Sequence, residues 1–112
     1  MASALLPTPS LTSLENAKPF VKIVEVGPRD GLQNEPKFVD TSTKVKLIDM
    51  LSQCGIPEIE ATSFVSPEAI PQLRDSVAVM QSINRNSSVI YSTPVPNLKG
   101  LEFAVCINYV NY

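Results

Sequence analysis

Arg29, Asp30, Gln33 and Asn34 crowd into the run Val24-Glu25-Val26-Gly27-Pro28-Arg29-Asp30-Gly31-Leu32-Gln33-Asn34-Glu35, directly after β-branched residues that read as a strand. A guanidinium, a carboxylate and two amides in one turn can hold an oxyanion, a hard metal ion and a polar substrate. α/β proteins place such groups just past strand ends, where loops from neighbouring strands converge on a common rim. The sequence contains no histidine, so imidazole supplies none of its acid-base chemistry.

Those groups need a scaffold, and the chain alternates in character in a way that provides one. Val21–Val26 is nearly continuous in apolar residues, which predicts a strand buried by helices on its outer face. A loop follows from Gly27 to about Val39. Asp40, Thr41 or Ser42 then caps a helix through about Cys54, with Val45, Leu47, Ile48, Met50 and Leu51 as one broad apolar face and Gly55 as its stop. Ile56–Ala61 is a second strand, followed by Thr62-Ser63-Phe64-Val65 and by Ser66-Pro67, a cap with proline at the first helical position. A helix from about Asp75 to Asn84 buries Val79, Met80 and Ile83, and Val89–Tyr91 is a third strand. Pro94 and Pro96 hold an open loop before Asn97 caps a last helix through Leu101 and Val105.

Strands near residues 22, 57 and 88 recur at roughly the thirty-residue spacing of βα units, so they pair in parallel. A closed (β/α)₈ barrel needs eight such units and about 250 residues. Periodicity leaves a small three-layer open sheet, complete as it stands, as the other solution.

Composition narrows the classes of function. At 112 residues, 44% hydrophobic and 18% charged, the sequence suits one small globular domain. A net charge of −2 offers no basic stripe for a phosphate backbone, so nucleic acid is not an expected partner. Nor is a membrane, because no apolar run approaches the ~18 residues of a spanning helix. Cys54 and Cys106 are far apart in sequence and fit a reducing compartment. Residues 1–20, with Pro7, Pro9 and Pro19 and no periodic apolar face, read as a flexible leader; without arginine, it makes a poor mitochondrial presequence.

Four segments together carry a resemblance: Val24–Glu35, Lys46-Leu47-Ile48-Asp49-Met50-Leu51, Glu60-Ala61-Thr62-Ser63-Phe64-Val65-Ser66-Pro67, and Thr93-Pro94-Val95-Pro96-Asn97-Leu98-Lys99-Gly100. From about Lys22 to Val105 the chain closely resembles the amino-terminal part of the 3-hydroxy-3-methylglutaryl-CoA lyase family. A bare Arg-Asp-Gly-x-Gln turn marks only the wider superfamily, which also holds isopropylmalate, homocitrate and citramalate synthases. Gly27-Pro28 before that turn and Thr62–Pro67 after it narrow the choice to the lyase. The resemblance implies an α/β fold made of the first three or so βα units of a TIM (β/α)₈ barrel, incomplete, with residues 21–105 as a partial lyase domain and 106–112 as a divergent carboxyl end. It also implies a metal-dependent retro-Claisen cleavage of 3-hydroxy-3-methylglutaryl-CoA to acetyl-CoA and acetoacetate, a step of leucine degradation and ketone-body formation.

Under that resemblance Asp30 is assigned to a divalent metal, Mg²⁺ or Mn²⁺, both of which prefer oxygen ligands; on its own an aspartate before Gly31 reads as an Asx-turn. Arg29 is carried over as the residue that polarises the carbonyl and stabilises the enolate, against the plainer role of a salt bridge across the rim. Glu60 is carried over as a catalytic acid supporting that arginine and the proton relay, where an acid at a strand end is otherwise a solvated charge or a structural ion pair. Gln33, Ser63 and Thr93 join Arg29 as substrate-binding residues, and Gly27 and Gly31 are expected to serve a sharp turn. The family's catalytic cysteine lies in a later glycine-rich loop that matches neither Cys54, read as a small buried thiol, nor Cys106.

The family completes its metal shell with two histidines and an asparagine from later in the barrel, and these remaining ligands are absent from this sequence. After Val105 the expected Ala/Gly-rich turn is replaced by Cys106–Tyr112, so the chain reads as a truncated or misspliced product or an incomplete gene model. The polypeptide itself is therefore expected to be inactive and poorly soluble. Alternatives are a non-catalytic product that pairs an exposed sheet edge with a partner, or a fragment of a related Claisen-type synthase. The family operates in the mitochondrial matrix, with forms in the cytosol or peroxisome. The full-length enzyme's homo-oligomeric state is left open.

Overall fold

A computed structural model describes residues 19–107. Most of the expected leader, and residues 108–112 of the expected divergent end, lie outside the described residues. Three short strands, β1 (Val24–Glu25), β2 (Glu58–Glu60) and β3 (Ile90–Ser92), form one parallel sheet in the order β1-β2-β3. Between and after them run α1 (Thr41–Leu51), α2 (Ser76–Ser82) and α3 (Leu98–Cys106). The chain thus folds as three consecutive βα units. Register places Val24 opposite Glu58 and Ile90 opposite Glu58 on the other side, with Ser92 opposite Glu60.

Strand alternation sorts the sheet into two unlike faces. Ile59 points to the helices and is fully buried with Ile48 of α1 and Val79 and Met80 of α2. Glu58 and Glu60 project from the opposite face, beside Val24, Val26 and Ile90, which are exposed. A three-layer sheet would cover both faces; here helices cover one, as in the wall of a barrel.

The helices begin where the sequence supplies caps. Asp40 accepts the Thr43 N–H at 3.0 Å and the Thr43 hydroxyl at 2.8 Å, and Asn97 accepts the Gly100 N–H at 2.9 Å. Gly100 allows the first turn of α3 to approach the loop after β2, since a Cβ there would overlap the Phe64 carbonyl oxygen. Gly55 adopts φ +74°, the left-handed conformation that lets the chain turn after α1. No helix among the described residues is long and apolar enough to cross a membrane.

Several local expectations fail for identifiable reasons. β1 is shorter than Val21–Val26, and Val21 and Ile23 are 74% and 58% exposed rather than buried, because β1 is an edge that pairs with β2 alone. Met50 is exposed: it lies two residues from buried Ile48, and i, i+2 positions do not share a helix face. Cys54 is exposed too, since α1 ends at Leu51 and its thiol turns back to the Met50 carbonyl at 3.3 Å. Ser66-Pro67 starts no helix but a single turn, in which the Ser66 carbonyl accepts the N–H groups of Ala69 and Ile70. Pro71 ends it, having no N–H and holding Ile70 extended at φ −134°, and opens a short 3₁₀ turn, Pro71–Leu73. The helix expected from about Asp75 begins at Ser76, and the Asp75 carboxylate accepts the buried Lys44 ammonium at 2.6 Å and the Thr41 hydroxyl at 2.7 Å.

Candidate functional site

Past the end of β1 the chain winds into a five-residue π-helical turn, Gly27–Gly31. The Val26 carbonyl accepts three successive N–H groups, those of Arg29 at 3.1 Å, Asp30 at 2.7 Å and Gly31 at 3.4 Å. Such turns are rare and concentrate at functional sites. Both ends of this one are pinned by side chains: the Glu25 carboxylate accepts the Gly27 N–H at 2.7 Å, and the Asn34 amide donates to the Asp30 carbonyl at 2.8 Å. Gly27 and Gly31 bound the sharp turn expected of them without positive φ, and a Cβ on Gly27 would crowd the Glu25 carboxylate.

This turn aims Arg29 across the sheet. Its Nε donates to Oε1 of Glu60 at the end of β2, and its Nη1 lies 3.4 Å from Oδ1 of Asp30. The Arg29 and Glu60 side chains are 26% and 17% exposed, whereas Asp30 is 54% exposed and presents its carboxylate to solvent. The Asp30 carboxylate therefore faces the guanidinium, and the N–H groups of its own turn are spent on Val26. One fixed positive charge, one half-buried carboxylate and one open carboxylate meet at the carboxyl end of the strands, where barrels of this kind place their chemistry.

The other expected site residues lie apart. Gln33 is half-buried in the helical turn that continues from Gly31. Ser63 is buried and its hydroxyl donates to the Pro94 carbonyl at 3.0 Å, which also accepts the Phe64 N–H, so it staples the β2 loop to the β3 loop. Thr93 turns to the helix-packed side, its hydroxyl 3.5 Å from the Met80 sulfur. The structure thus brings Arg29, Asp30 and Glu60 together and does not bring Ser63 or Thr93 to them.

Sequence reasoning missed four contributors, Glu25, Lys44, Gln72 and Glu58, while Asn34 was among the amides it singled out. Glu25 and Asn34 pin the turn, and Lys44 is a buried hub that donates to the Gln72 carbonyl at 2.6 Å. Gln72 in turn holds the Glu35 carbonyl at 3.0 Å, fixing the exit of the site loop. Glu58 completes the set: Lys22 Nζ sits 2.5 Å from its Oε2 and holds its carboxyl below the usual carboxylate range. Period two along β2 was the available signal, since it places Glu58 on the face of Glu60.

As a place for a divalent cation, the corner fits in donor type but not in number. Asp30 offers a hard, accessible oxygen, yet no three His, Cys, Asp or Glu residues gather anywhere among the described residues. A groove of about 320 Å³ opens nearby, walled by Phe64, Val65, Val77 and Phe103, but it includes none of Arg29, Asp30 and Glu60.

Comparison with known proteins gives a consistent picture. A protein-family model described as HMGL-like matches residues 20–110. The mitochondrial hydroxymethylglutaryl-CoA lyase of Gallus gallus is 60% identical over 85 residues, covering 76% of this chain and 28% of that protein. A cytoplasmic 3-hydroxy-3-methylglutaryl-CoA lyase of Danio rerio is 55% identical over 86 residues, covering 77% and 26%. Among solved structures, an HMG-CoA lyase from A. baumannii in complex with coenzyme A and 3-methylmalate superposes with a TM-score of 0.75 at 52% identity, covering 78% of this chain and 28% of that one. The chain spans about three-tenths of the length of the curated relatives it matches.

Proposed function

The chain belongs to the HMGL-like family, and from that premise we propose that its Arg29–Asp30–Glu60 corner is part of an active site for metal-dependent retro-Claisen cleavage of 3-hydroxy-3-methylglutaryl-CoA to acetyl-CoA and acetoacetate. The observation that carries this reading is the ion pair from Arg29 to Glu60, which fixes a permanent positive charge beside the open carboxylate of Asp30. Carbon–carbon cleavage removes the proton of the tertiary hydroxyl and leaves negative charge on the acetyl-CoA enolate. A guanidinium suits that charge because it never deprotonates and needs little reorganisation once held. Glu60 holds Arg29 at the strand end and belongs to the proton relay. Asp30 would be one ligand of a divalent ion, Mg²⁺ or Mn²⁺, and such an ion would supply Lewis-acid polarisation of a substrate oxygen. Gln33 contributes to substrate binding from the same loop. Ser63 and Thr93 act behind the rim, joining the loops and packing against Met80.

With no histidine in the sequence and no three-ligand cluster among the described residues, the 112-residue chain alone is proposed to be inactive, its partner groups coming from elsewhere. A Claisen-type synthase is disfavoured by the Thr62–Pro67 segment and by relatives that carry the lyase name. The mitochondrial matrix is the proposed compartment, in line with the mitochondrial relatives. A graft tests the activity: residues 20–107 replace the matching segment of the Gallus gallus lyase, and acetoacetate release from 3-hydroxy-3-methylglutaryl-CoA is followed with Mg²⁺. The graft should cleave the substrate and the isolated chain should not; a folded but inert graft would count against the assignment.

A further inference from the structure

Glu58 and Glu60 are two residues apart on β2 and therefore project from one face of the sheet. Their Cα atoms are about 7 Å apart by strand geometry, well within the distance over which charges act on one another. Each carboxylate has one cation. Lys22, from the segment entering β1, sits 2.5 Å from Glu58, and Arg29, from the turn leaving β1, donates to Glu60. The other side chains named on that face are the apolar Val24, Val26 and Ile90 and the hydroxyl-bearing Ser92, which stands opposite Glu60. The two acids are equally withdrawn from water, with side chains 18% and 17% exposed.

We infer that Lys22 is a positioning residue for the rim: by occupying Glu58 it leaves Arg29 a single carboxylate to serve, and so fixes the direction of the guanidinium beside Asp30. Without Lys22 the Glu58 carboxylate is an unmatched anion one pleat below Glu60. Arg29 is the other cation paired on that face, and it divides between the two acids, turning from the rim toward the interior of the sheet. The Lys22 bond is also the largest reason that Glu58 stays below the usual carboxylate range.

The inference deepens the proposed reading of the Arg29 corner, but its readout needs neither substrate nor metal. Arg29, Arg74 and Arg85 are the arginines of the chain, so the Nε–H signals can be assigned by ¹⁵N NMR, with Glu60→Gln identifying the one bound to Glu60. In the purified chain, Lys22→Met should at least halve the protection of the Arg29 Nε–H from solvent exchange and move its resonance. The double variant Lys22→Met/Glu58→Val should restore both to the values of the unaltered chain. Glu58→Val alone should leave them in place.

A purely structural Lys22 would lower the melting temperature without moving the Arg29 signal, and that result would overturn the inference. So would a double variant that behaves like Lys22→Met. Should Lys22→Met fail to fold, a folded double variant with the original Arg29 signal supports the inference, and an unfolded or unrestored one overturns it. An inert graft alongside an intact double-variant cycle would remove the lyase reading and leave the positioning role standing.

Discussion

The two faces of the three-stranded sheet are built from alternate residues of the same strands, yet they do opposite work. The outer face buries Ile59 completely against Ile48, Val79 and Met80. The inner face, one residue away in either direction along β2, carries Glu58 and Glu60 with their cations and leaves Ile90 56% exposed. Stability comes from the first because apolar area is removed from water there. Half-exposed ion pairs add little to it. What the inner face gains is fixed charge at the strand ends, the feature its proposed chemistry needs.

That contrast can be broken by substitutions on neighbouring positions. Ile59→Ala should lower stability by about 2–5 kcal/mol, read from the urea midpoint, and a loss comparable to that of an inner-face change would erase the distinction. Gly100→Ala should cost about 1–3 kcal/mol, since the new methyl meets the Phe64 backbone carbonyl rather than a yielding side chain. The acid limb of stability is a smaller effect. Asp40 is lowered from 3.8 to about 2 by the Ser42 and Thr43 hydroxyls and the Thr43 N–H, so its support for α1 is complete above pH 3.8 and disappears as pH falls toward 2. Asp40→Ala should flatten the fall in melting temperature across that window. Smallest of all, Ile90→Thr on the inner face should stay within about 0.5 kcal/mol of the original.

Much of this architecture was legible because local signals agree with tertiary ones. Asp40 and Asn97 announce helix starts, and Val79, Met80 and Ile83 announce a buried face, all of which the structure contains. The alternation of strands with helices gave the parallel sheet. Errors arose where tertiary partners decide. Periodicity cannot tell that β1 has no cover, nor that the Asp75 carboxylate pairs with the buried Lys44. Within the site, Arg29 and Glu60 are 31 residues apart, and only their family pattern linked them. Thr93 lies on the core side at Met80 because one residue of strand parity separates it from Ser92, which stands opposite Glu60.

The most direct measurement of the central claim is kcat for acetoacetate release by the Gallus gallus graft carrying Arg29→Gln, alongside its urea midpoint. A fall of about 10²–10³-fold or more with an unmoved midpoint is the predicted result. Turnover within threefold of the unsubstituted graft, or a loss explained by unfolding, would contradict it.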